Sequence, residues 1–509
     1  MIRLLLVLLL FTTSHADNER RGLYPDIGIK ILTSSSIGRG GSSTSSSSSQ
    51  TIIHAVSPNE ERRRKISMKA LIINIMADIG PHGMPLAYAF AQGGPTGIVP
   101  AIALVVVFGL TSAYTMMALA YLAVETNATG IGEVWAALIG VNSKWVVDVV
   151  LTALCFGCCL LYSSFIGDIS KALTSVAKPY GFISSRNGML ITITTALLLP
   201  LCLLENLSAP QVTRIFGVTG MFYTAFFHIK RLFDKSYAPG QLLFDNLPEI
   251  RRPSWELTSS QSFGNKMTNL FHVNMGVFVL INVLCVSFMG HYNAIEHYEK
   301  LKDASPQRYK TAILAAYGTI FIIFTTMMMT GYCIFGQSVQ PLILNNFHFI
   351  EDRLATIARI ATGGAICFAY PLMFSGLKSA MFELLDLNSR SKSIKDGVSI
   401  ATLTIITFTA CKCSEENVST VLEIVGSLLG CAAAYILPAI LRLAHMKRQR
   451  QRRGLYPRQN QIEVLLNHVI LIFGVGVSAV GMYMTLAKKG GLLRGLISST
   501  QESANMEAV

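Results

Sequence analysis

Asp78, Gly80, Pro81, His82 and Gly83 crowd into the middle of an otherwise apolar stretch, Met68 to Gln92. The carboxylate and the imidazole can hold or pass a proton, and the glycines let main chain approach a ligand closely. Pro81 removes an amide donor where the chain would otherwise stay helical. A second set of the same kind, Ser287, Gly290, His291 and Asn293, lies in the apolar run 277–298. A helix of about 20 residues crosses a bilayer, and inside it every freed N–H and C=O must be satisfied by protein, a cavity or a ligand. Ionisable side chains at that depth are costly and mark function. A proline kink packed against neighbours would account for Pro81 alone. Two glycines, a proline and a histidine together favour a binding-site break, and a second interrupted helix in the corresponding position strengthens that reading.

The composition agrees with burial in lipid. Of 509 residues, 51% are hydrophobic and 14% charged, against about 25% charged in soluble domains. The net charge of +13 lies largely in short basic runs beside apolar spans, which is membrane topology and no signal for nucleic acid. The ten cysteines form no disulfide framework, since most sit in or beside apolar spans as small apolar residues. Cys155, Cys158 and Cys159 have metal-like spacing but no histidine or acid nearby, and Cys411 with Cys413 makes only two ligands. No metal or cofactor site is expected. A phosphate loop, nucleophile elbow or zinc-protease motif is missing from the sequence, which argues against an enzyme.

Residues 1–16 resemble a secretory signal peptide, and residues 17–65 form a serine-rich basic tail expected to be disordered. The tail ends in Arg62-Arg63-Arg64-Lys65 beside the first span, a cytoplasmic marker that conflicts with a cleaved signal and outweighs it by position. After the first span, apolar runs at 98–123, 145–169, 188–205, 208–228, 268–294, 310–335, 354–381, 396–412, 419–444 and 462–487 bring the total to eleven, leaving 488–509 as a C-terminal tail. The membrane domain thus covers 66–487. A cytoplasmic N-terminus puts the basic 444–461 loop on the same side, along with the loops carrying Lys300, Lys302 and Arg308 and carrying Arg390, Lys392 and Lys395. Cysteines introduced beside Arg62 and beside Arg450 should therefore react with an impermeant maleimide from the same side of the membrane. Labelling from opposite sides would overturn the eleven-span count. The hexapeptide Arg-Arg-Gly-Leu-Tyr-Pro occurs at both 20–25 and 452–457 and has no physical explanation in the sequence.

Five stretches carry a resemblance. Gly80 to Phe90 with Ala91-Gln92-Gly93-Gly94, Leu199-Pro200-Leu201-Cys202-Leu203-Leu204-Glu205-Asn206-Leu207-Ser208, and Phe288-Met289-Gly290-His291 through Leu301-Lys302-Asp303-Ala304-Ser305-Pro306 are three of them. Gly331-Tyr332-Cys333-Ile334-Phe335-Gly336 and Val425-Gly426-Ser427 with Ile436-Leu437-Pro438-Ala439 complete the set. Their order and spacing resemble the amino acid/auxin permease family, and the Gly290-His291 element is similar to its vacuolar and vesicular amino acid transporter branch. The chain departs from that pattern at Ala87-Tyr88, where the family has proline before the tyrosine, and at His82, where it has a second glycine.

The resemblance implies an all-α polytopic membrane protein with a leucine-transporter-like 5+5 inverted repeat plus one extra helix. It implies secondary active transport of amino acids without a cofactor, in a vacuolar, other endomembrane or plasma membrane, with a non-transporting amino acid sensor as the alternative. The substrate would lie between the breaks, at Gly80, His82, Gly83, Ser287 and Gly290. A half-helix starting near Gly83 offers N–H groups and a positive dipole end to the carboxylate. One ending near Ser287 offers carbonyls to the ammonium group. Proton coupling would involve His291 first, then His82 with Asp78 as its carboxylate neighbour, because imidazole titrates nearest neutrality. Sodium coupling would instead need oxygens between the first and eighth spans, for which Ser375 and Thr362 are available.

Overall fold

Inside lipid a chain crosses most simply as helices that pair their own backbone, and the computed structural model follows that rule. It describes residues 65–507 apart from 93–96, 178–179, 205–210, 254–272, 274–275, 414 and 454–457. The signal-like segment, the serine-rich tail with Arg62 to Arg64, the Gly93-Gly94 turn, Asn206 to Ser208 and the first Arg-Arg-Gly-Leu-Tyr-Pro copy lie outside the described residues, as does most of the second copy.

Among the described residues, nine helices are long and apolar enough to cross a membrane. Two further spans bring the number to the expected eleven. The first is divided into Met68–Ile79 and Leu86–Gln92 by a 3-10 turn, Gly80–Gly83. The fifth, Gln211–Phe233, carries enough polar side chains to dilute its hydropathy. Local chemistry sets where several spans begin. Ser67 caps the first span by accepting from the Ala70 amide at 3.3 Å. Ser305 does the same for Arg308, with Pro306 at the first helical position of the seventh, where its missing N–H leaves nothing unpaired. The last helix runs on from Arg458 through Glu507, past the end expected for the eleventh span.

The neighbours of each span disclose a repeat. The first packs on the seventh and the sixth on the second; the fifth packs on the eighth and the tenth on the third. Likewise the first meets the fifth as the sixth meets the tenth, and the fifth meets the seventh as the tenth meets the second. The pairs first with sixth, second with seventh and third with eighth map onto themselves. Adding five to a span therefore reproduces its surroundings. An odd number of crossings per repeat sends the second half through the bilayer in the opposite sense, which is the inverted 5+5 arrangement. The eleventh span packs outside it, on the sixth and tenth.

Polar ties hold the periphery. Arg442 on the tenth span donates to Glu463 on the eleventh at 2.6 Å, and Tyr114 on the second donates to the same carboxylate at 3.3 Å. On the face opposite the basic loops, Asp352 caps the eighth span through the Ala355 amide at 3.0 Å. The same carboxylate accepts from Arg231 at 2.6 Å and from the Tyr237 hydroxyl at 2.9 Å. Burial and the adjacent Asp352 push the Tyr237 phenol far up, so it remains a donor. Buried Arg359 reaches back to the carbonyls of Leu344, Phe347 and His348 at 2.8, 2.8 and 3.3 Å, closing this face.

Candidate substrate and coupling site

The two breaks differ in kind. In the first span the chain tightens into a 3-10 turn and keeps helical dihedrals at Met84 (φ −56°, ψ −39°), so the second half starts at Leu86 and not near Gly83. The sixth span stops at Ser287, as expected. It continues through Phe288 (φ −93°, ψ 22°) and Gly290 (φ −146°, ψ 8°) into a turn at His291–Asn293, and its second half begins at Ala294. The sixth is therefore the fuller interruption.

The glycines bring helices together. A β-carbon on Gly80 would stand 1.7 Å from the Met221 sulfur, and one on Gly83 would stand 2.1 Å from the Phe324 ring. Gly290 packs against Ile79, whose side chain would lie 3.1 Å from an added β-carbon. These residues thus meet the fifth, seventh and first spans, where sequence alone suggested close approach to a ligand. Ser287 joins the breaks directly: its hydroxyl is shared between the carbonyls of Val283 at 2.9 Å and His82 at 3.2 Å.

Three ionisable side chains flank that contact. His82 is buried and stacked on Tyr162, with ring centroids 5.5 Å apart. Neither of its ring nitrogens has a hydrogen bond of ordinary geometry, though the backbone of Ile79 comes near. His291 is fully buried, its Nε2 2.8 Å from the Thr115 hydroxyl. Because that hydroxyl donates to the Thr111 carbonyl at 2.9 Å, the imidazole is the donor to it.

Asp78 does not pair with His82. Its donors all come from the sixth span: Tyr292 to Oδ1, and Asn293 at 3.0 Å and His297 at 3.4 Å to Oδ2. His297, only 4% exposed, is a member of this site that the sequence analysis does not single out. Its signal was the spacing of four from Asn293, which puts both on one helical face.

A cavity of about 350 Å³ opens beside this network, on the side of the loops between the second and third and the eighth and ninth spans. Tyr292, Asn293, Ser375 and Gly376 are among its walls, as are Lys144 and Glu383, which pair with each other. Thr362 lies elsewhere, 3.0 Å from Thr224 on the fifth span. Cys155, Cys158 and Cys159 are buried in the third span. Among the described residues no cluster of three metal-ligating side chains occurs.

The arrangement is a pocket walled by the third, sixth and eighth spans, next to the contact that joins the two interrupted helices. The chain is similar to the sodium-coupled neutral amino acid symporter 2 of Danio rerio, 21% identical over 73% of this chain and 74% of that protein. It is similar as well to the amino acid transporter AVT1C of Arabidopsis thaliana, 24% identical over 82% of this chain and 68% of that protein. Among solved structures, MhsT in complex with L-phenylalanine aligns with a TM-score of 0.49 at 14% identity, covering 82% of this chain and 99% of that one. The model of a family of transporters, not of enzymes, matches residues 64–487, and the chain belongs to that family, the transmembrane amino acid transporter proteins.

Proposed function

We propose that this protein is a secondary active transporter that carries amino acids by alternating access about the joined breaks of the first and sixth spans, driven by protons. The observation that carries the reading is the Ser287 hydroxyl on the His82 carbonyl, which couples the two interrupted helices beside a buried carboxylate. The substrate carboxylate is directed to the amides that open the second half of the first span. The substrate ammonium is directed to the carbonyls that end the first half of the sixth. The open cavity faces the side read as cytoplasmic, while Asp352 and Arg359 close the opposite face, as in an inward-facing state.

Protons are favoured over sodium by where the polar groups go. The Thr362 hydroxyl is engaged with Thr224, whereas Asp78 gathers titratable partners. The Danio rerio relative is named as sodium-coupled, which makes the ion the sharpest point to test. Purified protein in proteoliposomes should accumulate labelled amino acids when a pH gradient is imposed and fail to do so with a sodium gradient alone. Sodium-driven, pH-independent accumulation would sink the proton assignment. Saturable binding without any uptake would point to a sensor instead.

A further inference from the structure

We infer that the coupling proton is carried jointly by Asp78 and His297 and is released through the cavity walled by Tyr292 and Asn293. The inference rests on the proposed proton-driven transport and names the groups that would perform it.

Asp78 belongs to the first span, and all three donors to its carboxylate belong to the sixth, two from its turn at His291–Asn293 and His297 from its second half. Rearrangement of one broken helix against the other must break these bonds, so the protonation of this group is tied to the conformational state. Of the three donors, only His297 is an imidazole, the side-chain type suited to taking up and passing on a proton. Its contact, 3.4 Å, is looser than the 3.0 Å bond from Asn293 to the same oxygen. His291, by comparison, is bound to a threonine hydroxyl and has no carboxylate among its hydrogen-bond partners.

The groups facing the pair come from every neighbouring element. Arg214 on the fifth span lies within electrostatic reach of Asp78 and of Glu296. Cys155 and Tyr162 on the third and Tyr317 on the seventh feel the same carboxylate, as does His82 on its own span. Arg214 is the fixed cation of this set, within reach of both carboxylates. One added proton is shared between imidazole and carboxylate. Loss of that proton to water restores the neutral imidazole, so one proton enters and one leaves per cycle.

The exit is short. Tyr292 and Asn293 each contact Asp78 and also line the cavity, so a single layer of side chains separates the carboxylate from that space. Glu133, Asp148 and Glu383 also line the cavity, carboxylates that can receive a departing proton.

The test uses the full chain in proteoliposomes and a mixture of labelled L-amino acids, and it reads a ratio: accumulation under an imposed pH gradient divided by counterflow exchange without one. In wild type the ratio should exceed its gradient-free value. In His297→Gln, and in the double variant Asp78→Asn with His297→Gln, it should fall to that value. The double variant matters because removing one partner of a buried pair strands the other charge, whereas removing both does not. A gradient response kept in either variant overturns the assignment and leaves proton-driven transport intact. A wild type indifferent to pH overturns both.

Discussion

Gly83→Leu should abolish amino acid uptake, and Gly80→Leu should reduce it less. Both glycines lie where the first span meets another helix, but their neighbours yield differently. At Gly80 the obstacle is the end of Met221, 1.7 Å from an added β-carbon, and a thioether chain can swing aside. At Gly83 it is the ring of Phe324, at 2.1 Å. That ring is fully buried and packs at 5.3 Å on Phe288, the residue at which the sixth span breaks. Phe324 can retreat only by displacing Phe288, and with it the stack on Tyr317 whose hydroxyl holds the Phe288 carbonyl at 3.1 Å. Overpacking a tight core costs about 1–3 kcal/mol, and here the strain falls on the joint that must move. Uptake per reconstituted molecule, with the folded fraction taken from size-exclusion profiles, is the measurement. Unchanged uptake in Gly83→Leu would reduce the break to an inert kink, and equal loss in both variants would remove the distinction drawn from their neighbours.

The second large effect is expected at the opposite face. Asp352→Ala should lower the melting temperature and weaken closure of that face, because its buried carboxylate receives Arg231, Tyr237 and the helix-capping amide of Ala355 together. Breaking a buried pair by removing one member costs about 3–5 kcal/mol. Arg231 keeps a second acceptor in Asp234 at 2.8 Å, which places the loss toward the lower end. Asp352→Asn, which retains the cap but not the charge, should lose less than alanine. Thermal unfolding in detergent would show both steps; identical melting of wild type and Asp352→Ala would deny the carboxylate its bracing role.

The spans were legible because lipid leaves a chain few solutions, and apolar length is a local property. The end of the sixth helix at Ser287 was legible for a similar reason, since the polar and glycine residues that follow withdraw support for the helix at one place. Gly80 and Gly83 show what a sequence leaves unwritten. Sequence records that a side chain is missing, not what occupies its space, and Met221 and Phe324 are supplied by distant spans. Asp78 was recognised as costly at its depth, yet its nearest histidine in sequence was not its partner. The choice between His82 and His297 depends on how two helices cross, and that crossing is written in many side chains at once. The 3-10 path from Gly80 to Gly83 keeps the direction of the helix, so a sequence reading that expected a free half-helix start there placed it several residues early.

The sixth span is also a lever with one end clamped. A β-carbon on Gly426 would stand 2.0 Å from the carbonyl oxygen of Asn282, and one on Gly481 would stand 2.3 Å from its side-chain oxygen. The first half of the span is thus gripped between the tenth and eleventh, with no clearance for it to slide. Beyond Phe288 to Gly290 the short half from Ala294 to Lys300 is held through His297 to Asp78 and through the Ala294 carbonyl to the Tyr309 hydroxyl. Torque applied at the substrate would then be taken up at the fulcrum between the two, swinging the seven-residue arm while the gripped shaft travels only with the helices that clasp it.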